Sequence, residues 1–404
     1  MQPHLAFTGY LGRRLHLGVC GSVAAYKALE LLRMLTATGL GVGATLTASA
    51  ERFVTRLSFE ALGAGPVYGP MFDPGHGPFG HLEPGQSAHA MLVAPASANT
   101  LARLALGLAD EMLACQALAF EGPLVVAPAM NPRLWNAPAT RANWETLKAR
   151  GVVCVEPACG DMACGEQGRG RLAPLEEIYV QALRAATVQD LAGIDVLLTL
   201  GPTRESFDCV RHWSNPSTGT MGAALAVAAW LRGARVHAVC GPVALWLPQG
   251  IERVDVTSAR EMHQAAMDLF PAAQWACCTA AVADFRPEPF GPGKFKKDSG
   301  PLAVTFLPNP DILAAMGQAR GPGQRLCGFA AEAADLEAHA RGKLARKRLD
   351  LIVANDVTAP GSGFAAPTNG VLVLDAQGRL ERWPVLPKTE VAWRIWDWML
   401  ALSS

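Results

Sequence analysis

Leu15-His16-Leu17-Gly18-Val19-Cys20-Gly21-Ser22-Val23-Ala24-Ala25-Tyr26-Lys27 is an apolar run that breaks into a turn of small residues and then into a helical pattern. A strand that feeds a helix through glycine and serine is the opening half of a βαβ unit. Arg13-Arg14 ahead of the run imitates an export signal, and Cys20 imitates a lipidation site. Lys27 and Glu30 follow at once without a small-residue cleavage pattern, so the strand-to-helix reading stands and a cytoplasmic protein is expected.

Working outward, the runs Val42 to Thr47, Ala90 to Pro95, Pro123 to Ala129 and Val152 to Val155 each lead into a helical pattern. That alternation predicts a parallel sheet covered by helices. A helix over about Leu175 to Ala186 is followed by Thr187 to Asp190 and a new strand, Ile194 to Leu200, which places the expected domains at 1–189 and 190–404. The rhythm restarts with strands near Arg235 to Cys240, Gln274 to Thr279, Arg325 to Phe329 and Asp350 to Ala354. A hairpin, Val371 to Leu374 with Leu380 to Trp383, and a helix from Lys388 to Leu402 close the chain. Trp393, Trp396 and Trp398 on that helix read as packing or subunit contact. The fold expected is α/β, with two Rossmann-like doubly wound domains and mainly parallel sheets. Asp284 to Pro308, rich in Pro, Gly and Lys, is too long for an ordinary connection and is expected to be a functional loop.

The composition narrows the function. Of 404 residues half are hydrophobic and 17% charged, which excludes a disordered chain. Thirty-five basic residues balance thirty-five acidic ones. No chain-wide field therefore exists for nucleic acid or an anionic membrane, and any phosphate site must be local. The longest apolar stretch, Met221 to Leu231, falls short of the ~20 residues that span a bilayer. Ten cysteines are scattered; Cys154, Cys159 and Cys164 recur every five residues, but no second pair or nearby His completes a zinc shell.

In open α/β sheets ligands sit beyond the carboxyl ends of the strands. Gly18 to Val23, then Thr47 and Ser49, then Ala94-Pro95-Ala96-Ser97-Ala98-Asn99-Thr100 end three strands with small residues and hydroxyls. Each alone reads as helix capping, whereas three on one edge favour a phosphate-bearing cofactor. Pro128-Ala129-Met130-Asn131-Pro132 presents an amide past a buried strand, and Ala163-Cys164-Gly165 lies in a Gly-rich loop. His81 stands between Gly-rich turns. In the second half Arg204, Arg211 and Asn215 share one loop ahead of a Ser/Thr/Gly helix start, and Lys343 and Lys347 share a helical face, which favours an anionic ligand.

Residues 21–27 (Gly-Ser-Val-Ala-Ala-Tyr-Lys), 94–99 (Ala-Pro-Ala-Ser-Ala-Asn), 128–131 (Pro-Ala-Met-Asn) and 163–165 (Ala-Cys-Gly) together resemble the homo-oligomeric flavin-containing cysteine decarboxylases. The resemblance covers about residues 14–186. It implies a flavodoxin-like domain with FMN against Gly21, Ser22, Val23, Thr47, Ser49, Ser97, Asn99 and Thr100. It also implies His81 as the base, Asn131 with Met130 beside it as the grip on the substrate carboxylate, and Cys164 as proton donor. In that chemistry, oxidation of the cysteine side to a thioaldehyde creates the electron sink for decarboxylation to an enethiol.

From about Asp195 to Asp356 the second set of motifs resembles the phosphopantothenate–cysteine ligase domain, and the tandem order is that of bifunctional bacterial coenzyme A biosynthesis proteins. That resemblance implies CTP at Cys278, Thr279, Ala280, Asp284, Lys294, Pro310, Asp311, Ile312, Leu313, Phe329, Lys343 and Lys347, and 4′-phosphopantothenate at Arg211, Asn215 and Ala281. Lys294 would meet transition-state charge with Mg²⁺, whose ligands the sequence does not identify, and Asn215 would orient an acyl-cytidylate for attack by cysteine. A homo-oligomer, up to a dodecamer, is implied, with no nucleic-acid or membrane partner. Three departures stand out: Gln86-Ser87-Ala88-His89 replaces a Lys-Trp-Ala-Asp-like run, Glu111 stands where Asn or Asp is usual, and Thr220 replaces a lysine. Two alternatives follow, a decarboxylase with an impaired ligase and a non-catalytic regulatory flavoprotein. An NAD-linked dehydrogenase lacks its GxGxxG fingerprint here.

Overall fold

The computed structural model describes residues 1–402 except 74, 76, 163–164, 290, 292, 297–301, 333–334, 357–360, 362 and 364. Two compact units emerge, Thr8–Val188 and a second made of Met1–Phe7 with Gln189–Ser404.

In the first unit β1 (Arg14–Val19), β2 (Gly41–Leu46), β3 (Val67–Tyr68), β4 (Ala90–Ala96), β5 (Leu124–Pro128) and β6 (Val153–Cys154) form a parallel sheet in the order β3-β2-β1-β4-β5-β6. Every residue of β4, and all of β1 and β2 after their first, is buried. Continuous apolar runs are what a strand covered on both faces requires. The order reverses between β1 and β4, and the turns after those strands face the crevice that such a reversal opens. A hairpin, β7 (Ala158–Asp161) with β8 (Gln167–Arg171), follows β6.

The second unit opens with β9 (Asp195–Leu200) and a short antiparallel pair, β10 (Arg204–Ser206) with β11 (His212–Ser214). Then come β12 (Arg235–Cys240), β13 (Ile251–Asp255) and β14 (Trp275–Cys278). The pair β15 (Phe285–Pro287) with β16 (Phe306–Pro308) closes the long loop expected at Asp284 to Pro308. β17 (Arg325–Glu332), β18 (Leu351–Asp356), β19 (Thr368–Asp375) and β20 (Leu380–Pro387) complete the strands. The main sheet runs β13-β12-β9-β14-β17-β18-β19-β20, parallel as far as β18 and antiparallel beyond. The apolar helix Thr220–Leu231 is buried nearly all round, between the sheet and the helix Lys388–Ala401, where Trp396 Nε1 donates to the Leu225 carbonyl at 3.0 Å. Trp396 and Trp398 are thus core residues.

The first seven residues differ from the expected boundary at 189, because their apolar side chains find cover only in the second unit. Leu5 is fully buried, Phe7 packs edge-on against Trp393, and His4 Nε2 lies 2.7 Å from the Trp246 carbonyl. Thr389 Oγ1 donates to the Ala6 carbonyl at 2.8 Å. Among the described residues no helix is long and apolar enough to cross a membrane.

Candidate functional sites

In the first unit the residues expected to face a flavin end three adjacent strands, β2, β1 and β4. Ser22 and Ser97 cap the helical turns behind them, accepting from the N–H groups of Ala24 (3.3 Å) and Thr100 (3.2 Å), while Thr47 Oγ1 accepts from Ala50 N–H at 3.2 Å. Thr100 Oγ1 donates to Cys20 Sγ at 3.1 Å, tying the β4 turn to the β1 turn. Gly21 is required by space: a Cβ there would lie 2.4 Å from that of Ser49. Val23, Ser49 and Asn99 are exposed along this edge.

Beside Thr47 opens a cavity of about 410 Å³, also lined by Glu51, Arg56, Met71, Phe72, Glu111 and Met112. That size falls within the range of small-molecule sites. Glu111 lines it with a buried carboxylate oxygen, Oε1, that makes no hydrogen bond, the Arg103 guanidinium lying 3.6 Å away. Burial raises the Glu111 pKa above the usual carboxylate value. Small-residue turns at helix starts, a glycine cradle and an unsatisfied buried carboxyl fit a polar, phosphate-bearing ring system.

Asn131 caps the helix Pro132–Asn136, accepting from Arg133 N–H at 2.8 Å. Its amide Nδ2 donates to Glu166 Oε2 at 3.0 Å, and the other oxygen of Glu166 meets the Arg133 guanidinium at 2.8 Å. The β7–β8 hairpin folds onto this turn: Met130 N–H donates to the Gly170 carbonyl at 2.9 Å, and a Cβ on Gly170 would lie 2.4 Å from the Met130 oxygen. Cys164, with Ala163, lies outside the described residues; its neighbours Met162 and Glu166 form the hairpin tip, closed by a 2.9 Å backbone bond.

His81 is half-buried and lines neither large cavity described here. A buried relay reaches its neighbour instead. His16 Nε2 lies 2.7 Å from Thr45 Oγ1, Thr45 Oγ1 donates to Gln116 Oε1 at 2.6 Å, and Gln116 Nε2 donates to the Gly80 carbonyl at 3.0 Å. Burial pushes the His16 pKa down to about 3, so its ring is neutral and donates to Thr45. On the other side of His81, Tyr68 OH donates to Glu83.

In the second unit a cavity of about 400 Å³ lies past the carboxyl ends of β9, β14 and β17, where the strand order reverses. It is lined by Asn215, Cys278, Thr279, Ala280, Ala281, Asp284, Pro310, Asp311, Ile312, Leu313, Phe329, Lys343 and Lys347, which is every residue expected there except Arg211 and Lys294. Gly222 lets the helix Thr220–Leu231 press against this edge, since a Cβ would lie 2.3 Å from Thr279 Oγ1 and 2.4 Å from Leu200 Cβ. Asn215 Nδ2 donates to the carbonyls of Ala281 (3.1 Å) and Val282 (3.2 Å).

Lys343 pairs with Glu332 at 2.6 Å and Lys347 with Asp311 at 2.9 Å. Burial alone would raise the Asp311 pKa, but the Ala314 N–H and the Lys347 ammonium hold it below its usual value. Burial pushes the Cys278 thiol up to about 12, so it lines the wall as a neutral group. Arg211 is held outside by Asp208 at 2.9 Å, and its guanidinium also donates to the Phe295 carbonyl at 3.1 Å. Phe295 N–H in turn donates to Asp208 at 3.0 Å, so Arg211 is tied to the segment that carries the exposed Lys294. Sequence reasoning missed Gly363, Asn369 and Lys388 on the cavity wall. The one available signal was a lysine opening a tryptophan-rich helix.

Residues 8–186 match the family described as Flavoprotein, and residues 191–402 match the DNA/pantothenate metabolism flavoprotein C-terminal domain. The chain is 41% identical to the Coenzyme A biosynthesis bifunctional protein CoaBC of Bacillus subtilis (strain 168), over 97% of each chain. It is 40% identical to the protein of the same name from Escherichia coli (strain K12), over 89% of this chain and 90% of that one. A solved structure, the C-terminal domain of Coenzyme A biosynthesis bifunctional protein CoaBC, is 34% identical over 53% of this chain and 98% of that chain, with a TM-score of 0.45.

Proposed function

The chain belongs to the family of bifunctional coenzyme A biosynthesis proteins, and from that premise we propose how its residues divide the two reactions. It is a coenzyme A biosynthesis enzyme, with a flavoprotein decarboxylase half and a ligase half. The second unit joins 4′-phosphopantothenate to cysteine at the expense of CTP. The first then converts phosphopantothenoylcysteine to 4′-phosphopantetheine with FMN. The convergence of residues from separate segments, 215, 278–284, 310–313, 329 and 343–347, on one cavity carries this reading.

In the ligase half a carboxylate oxygen of the acid attacks the α-phosphorus of CTP and pyrophosphate leaves. The amino group of cysteine then attacks the acyl carbon and releases CMP. Asn215, fixed on the 281–282 carbonyls, orients the acyl group, and Lys294 would meet the developing charge. Arg211, tied to the same loop, holds the acid. Among the described residues no three His, Cys, Asp or Glu side chains could hold a metal ion. Mg²⁺ would therefore ride mainly on the triphosphate, as it commonly does.

In the decarboxylase half Gly21, Ser22, Val23, Thr47, Ser49, Ser97, Asn99 and Thr100 would hold FMN. FMN would supply the two-electron oxidation without which a cysteine carboxylate has no electron sink for loss of carbon dioxide. Asn131 already grips a carboxylate, that of Glu166, and would grip the substrate's in the same way. His81 would accept a proton on its imidazole, and Cys164 would return one from its thiol. Homo-oligomeric assembly and a cytoplasmic location complete the proposal.

Two assays test it. CTP, 4′-phosphopantothenate and cysteine should give pyrophosphate and phosphopantothenoylcysteine at ordinary rates. Anaerobic incubation with phosphopantothenoylcysteine should give carbon dioxide and the mass of 4′-phosphopantetheine. Absence of pyrophosphate would leave only the decarboxylase, the narrower alternative that Thr220 suggests.

A further inference from the structure

We propose that Asp208 is a positioning residue of the ligase half, pinning the loop that carries Lys294 to the turn that carries Arg211, so that the two cations are set together. The proposal rests on the reading of Lys294 and Arg211 as residues of the CTP-dependent ligation.

The Asp208 side chain is wholly buried, and its two oxygens have different work. Oδ1 accepts from the backbone N–H groups of Val210 (2.8 Å) and Arg211 (2.6 Å), closing the turn between β10 and β11. Aspartate and asparagine serve equally in such a turn, so Oδ1 by itself says nothing about function. Oδ2 reaches outside the turn. It accepts from Phe295 N–H at 3.0 Å, across 87 residues of chain, and from Arg211 Nη1 at 2.9 Å. Arg211 Nη1 also donates to the Phe295 carbonyl at 3.1 Å, and the guanidinium lies over the Phe295 ring, 5.9 Å from its centroid. Phe207 packs against the same ring with centroids 5.9 Å apart. Phe295, next to Lys294, is thus held by its N–H, its carbonyl and its ring.

The outward oxygen is what a turn does not need and a ligase does. The loop between β15 and β16 is closed at its base by that strand pair, and the tie at Phe295 fixes a point near its middle. Ordering a long connection costs backbone entropy, so a buried anchor far from its ends has to be built in. A group that meets developing charge loses much of its effect on a displacement of about 1 Å, which is why Lys294 needs such an anchor beside it. Burial alone would raise the Asp208 pKa, but the N–H groups of Arg211, Val210 and Phe295 and the Arg211 guanidinium hold it below its usual value. The carboxylate is therefore charged at neutral pH, the form that takes donors on both oxygens. Among the described residues the side-chain hydrogen bonds of Arg211 both use Nη1, so Nη2 and Nε remain for the acid.

The test uses the full chain with Asp208→Asn, Lys294→Ala and the two combined. Asparagine keeps one oxygen for the Val210 and Arg211 N–H groups but turns an NH₂ toward Phe295 N–H and Arg211 Nη1, so it breaks the outward tie and spares the turn. Pyrophosphate release is measured against CTP and, separately, against 4′-phosphopantothenate. CTP binding is followed by calorimetry, and amide exchange at 294–296 by mass spectrometry. Asp208→Asn should speed that exchange, lower kcat about tenfold or more and raise KM for the acid, with Kd for CTP changed less than about twofold because Lys343 and Lys347 stay in place. In the double variant kcat should fall no further than in Lys294→Ala alone, since nothing is left to position. Unchanged exchange, or unchanged kcat and acid KM, would reduce Asp208 to a turn residue and overturn the proposal. A double variant that loses the product of the two single losses overturns it as well, as does a loss of CTP binding in step with kcat, the mark of a purely structural role. Wild-type protein that yields no pyrophosphate sinks the ligase reading and the proposal with it; a wild type that turns over and is matched by Asp208→Asn sinks the proposal alone.

Discussion

Gln116 lies fully buried and acts through a backbone carbonyl, that of Gly80 next to His81. Replacing it by leucine leaves that carbonyl and Thr45 without their partner, a loss of about 1–3 kcal/mol. Gln116→Leu is expected to slow carbon dioxide release while leaving pyrophosphate release intact, which paired assays on one preparation would read. His16, at the far end of the same relay, has an acid-pH signature. The fold holds its pKa at about 3 against 6.5 for a free imidazole, so it takes up its proton only on unfolding. Its contribution to stability is full above pH 6.5 and is lost progressively as pH falls toward 3. The slope of Tm against pH below 6.5 should therefore be shallower in His16→Gln. None of this relay was legible in the sequence, where His16 reads as a polar interruption of a strand, because its partners come from β2 and from the helix Met112–Ala119, far along the chain.

Elements were more legible than their contacts. The apolar runs announced β1, β2, β4, β5, β9, β12, β14, β17 and β18 to within a few residues, since a strand covered on both faces leaves an unbroken hydrophobic record. β13 escaped because only Ile251 of its five residues is buried, so the edge of the sheet is written in Glu252, Arg253 and Asp255. Lys388 escaped for a related reason: a lysine at a helix start reads as solvated until the turn at Gly363 is known to fold against it. The helix Thr220–Leu231 carries a prediction of its own. A methyl at Gly222 would drive that helix start away from Leu200 and Thr279, at a cost of about 1–3 kcal/mol. Gly222→Ala should lower the Tm of the second unit and weaken CTP binding, with carbon dioxide release retained, as differential scanning calorimetry and the two assays would show.

At the level of the whole molecule the two units are legible as two restarts of one βα rhythm, yet the sequence put the opening residues on the wrong side of the division. Nothing in Pro3 to Phe7 names a distant partner; the short apolar cluster acquires meaning only beside Trp246 and Trp393. Deleting residues 1–7 should lower the thermal transition of the ligase half and its pyrophosphate release while sparing flavin absorbance and carbon dioxide release. The seven residues also order events in time. They are made before the flavin unit, but Trp393 and Thr389, which they clasp, are made after it. The flavin unit can thus mature on the nascent chain like an insert between two pieces of its neighbour, whereas the ligase unit stays open until residues 389–393 have been made.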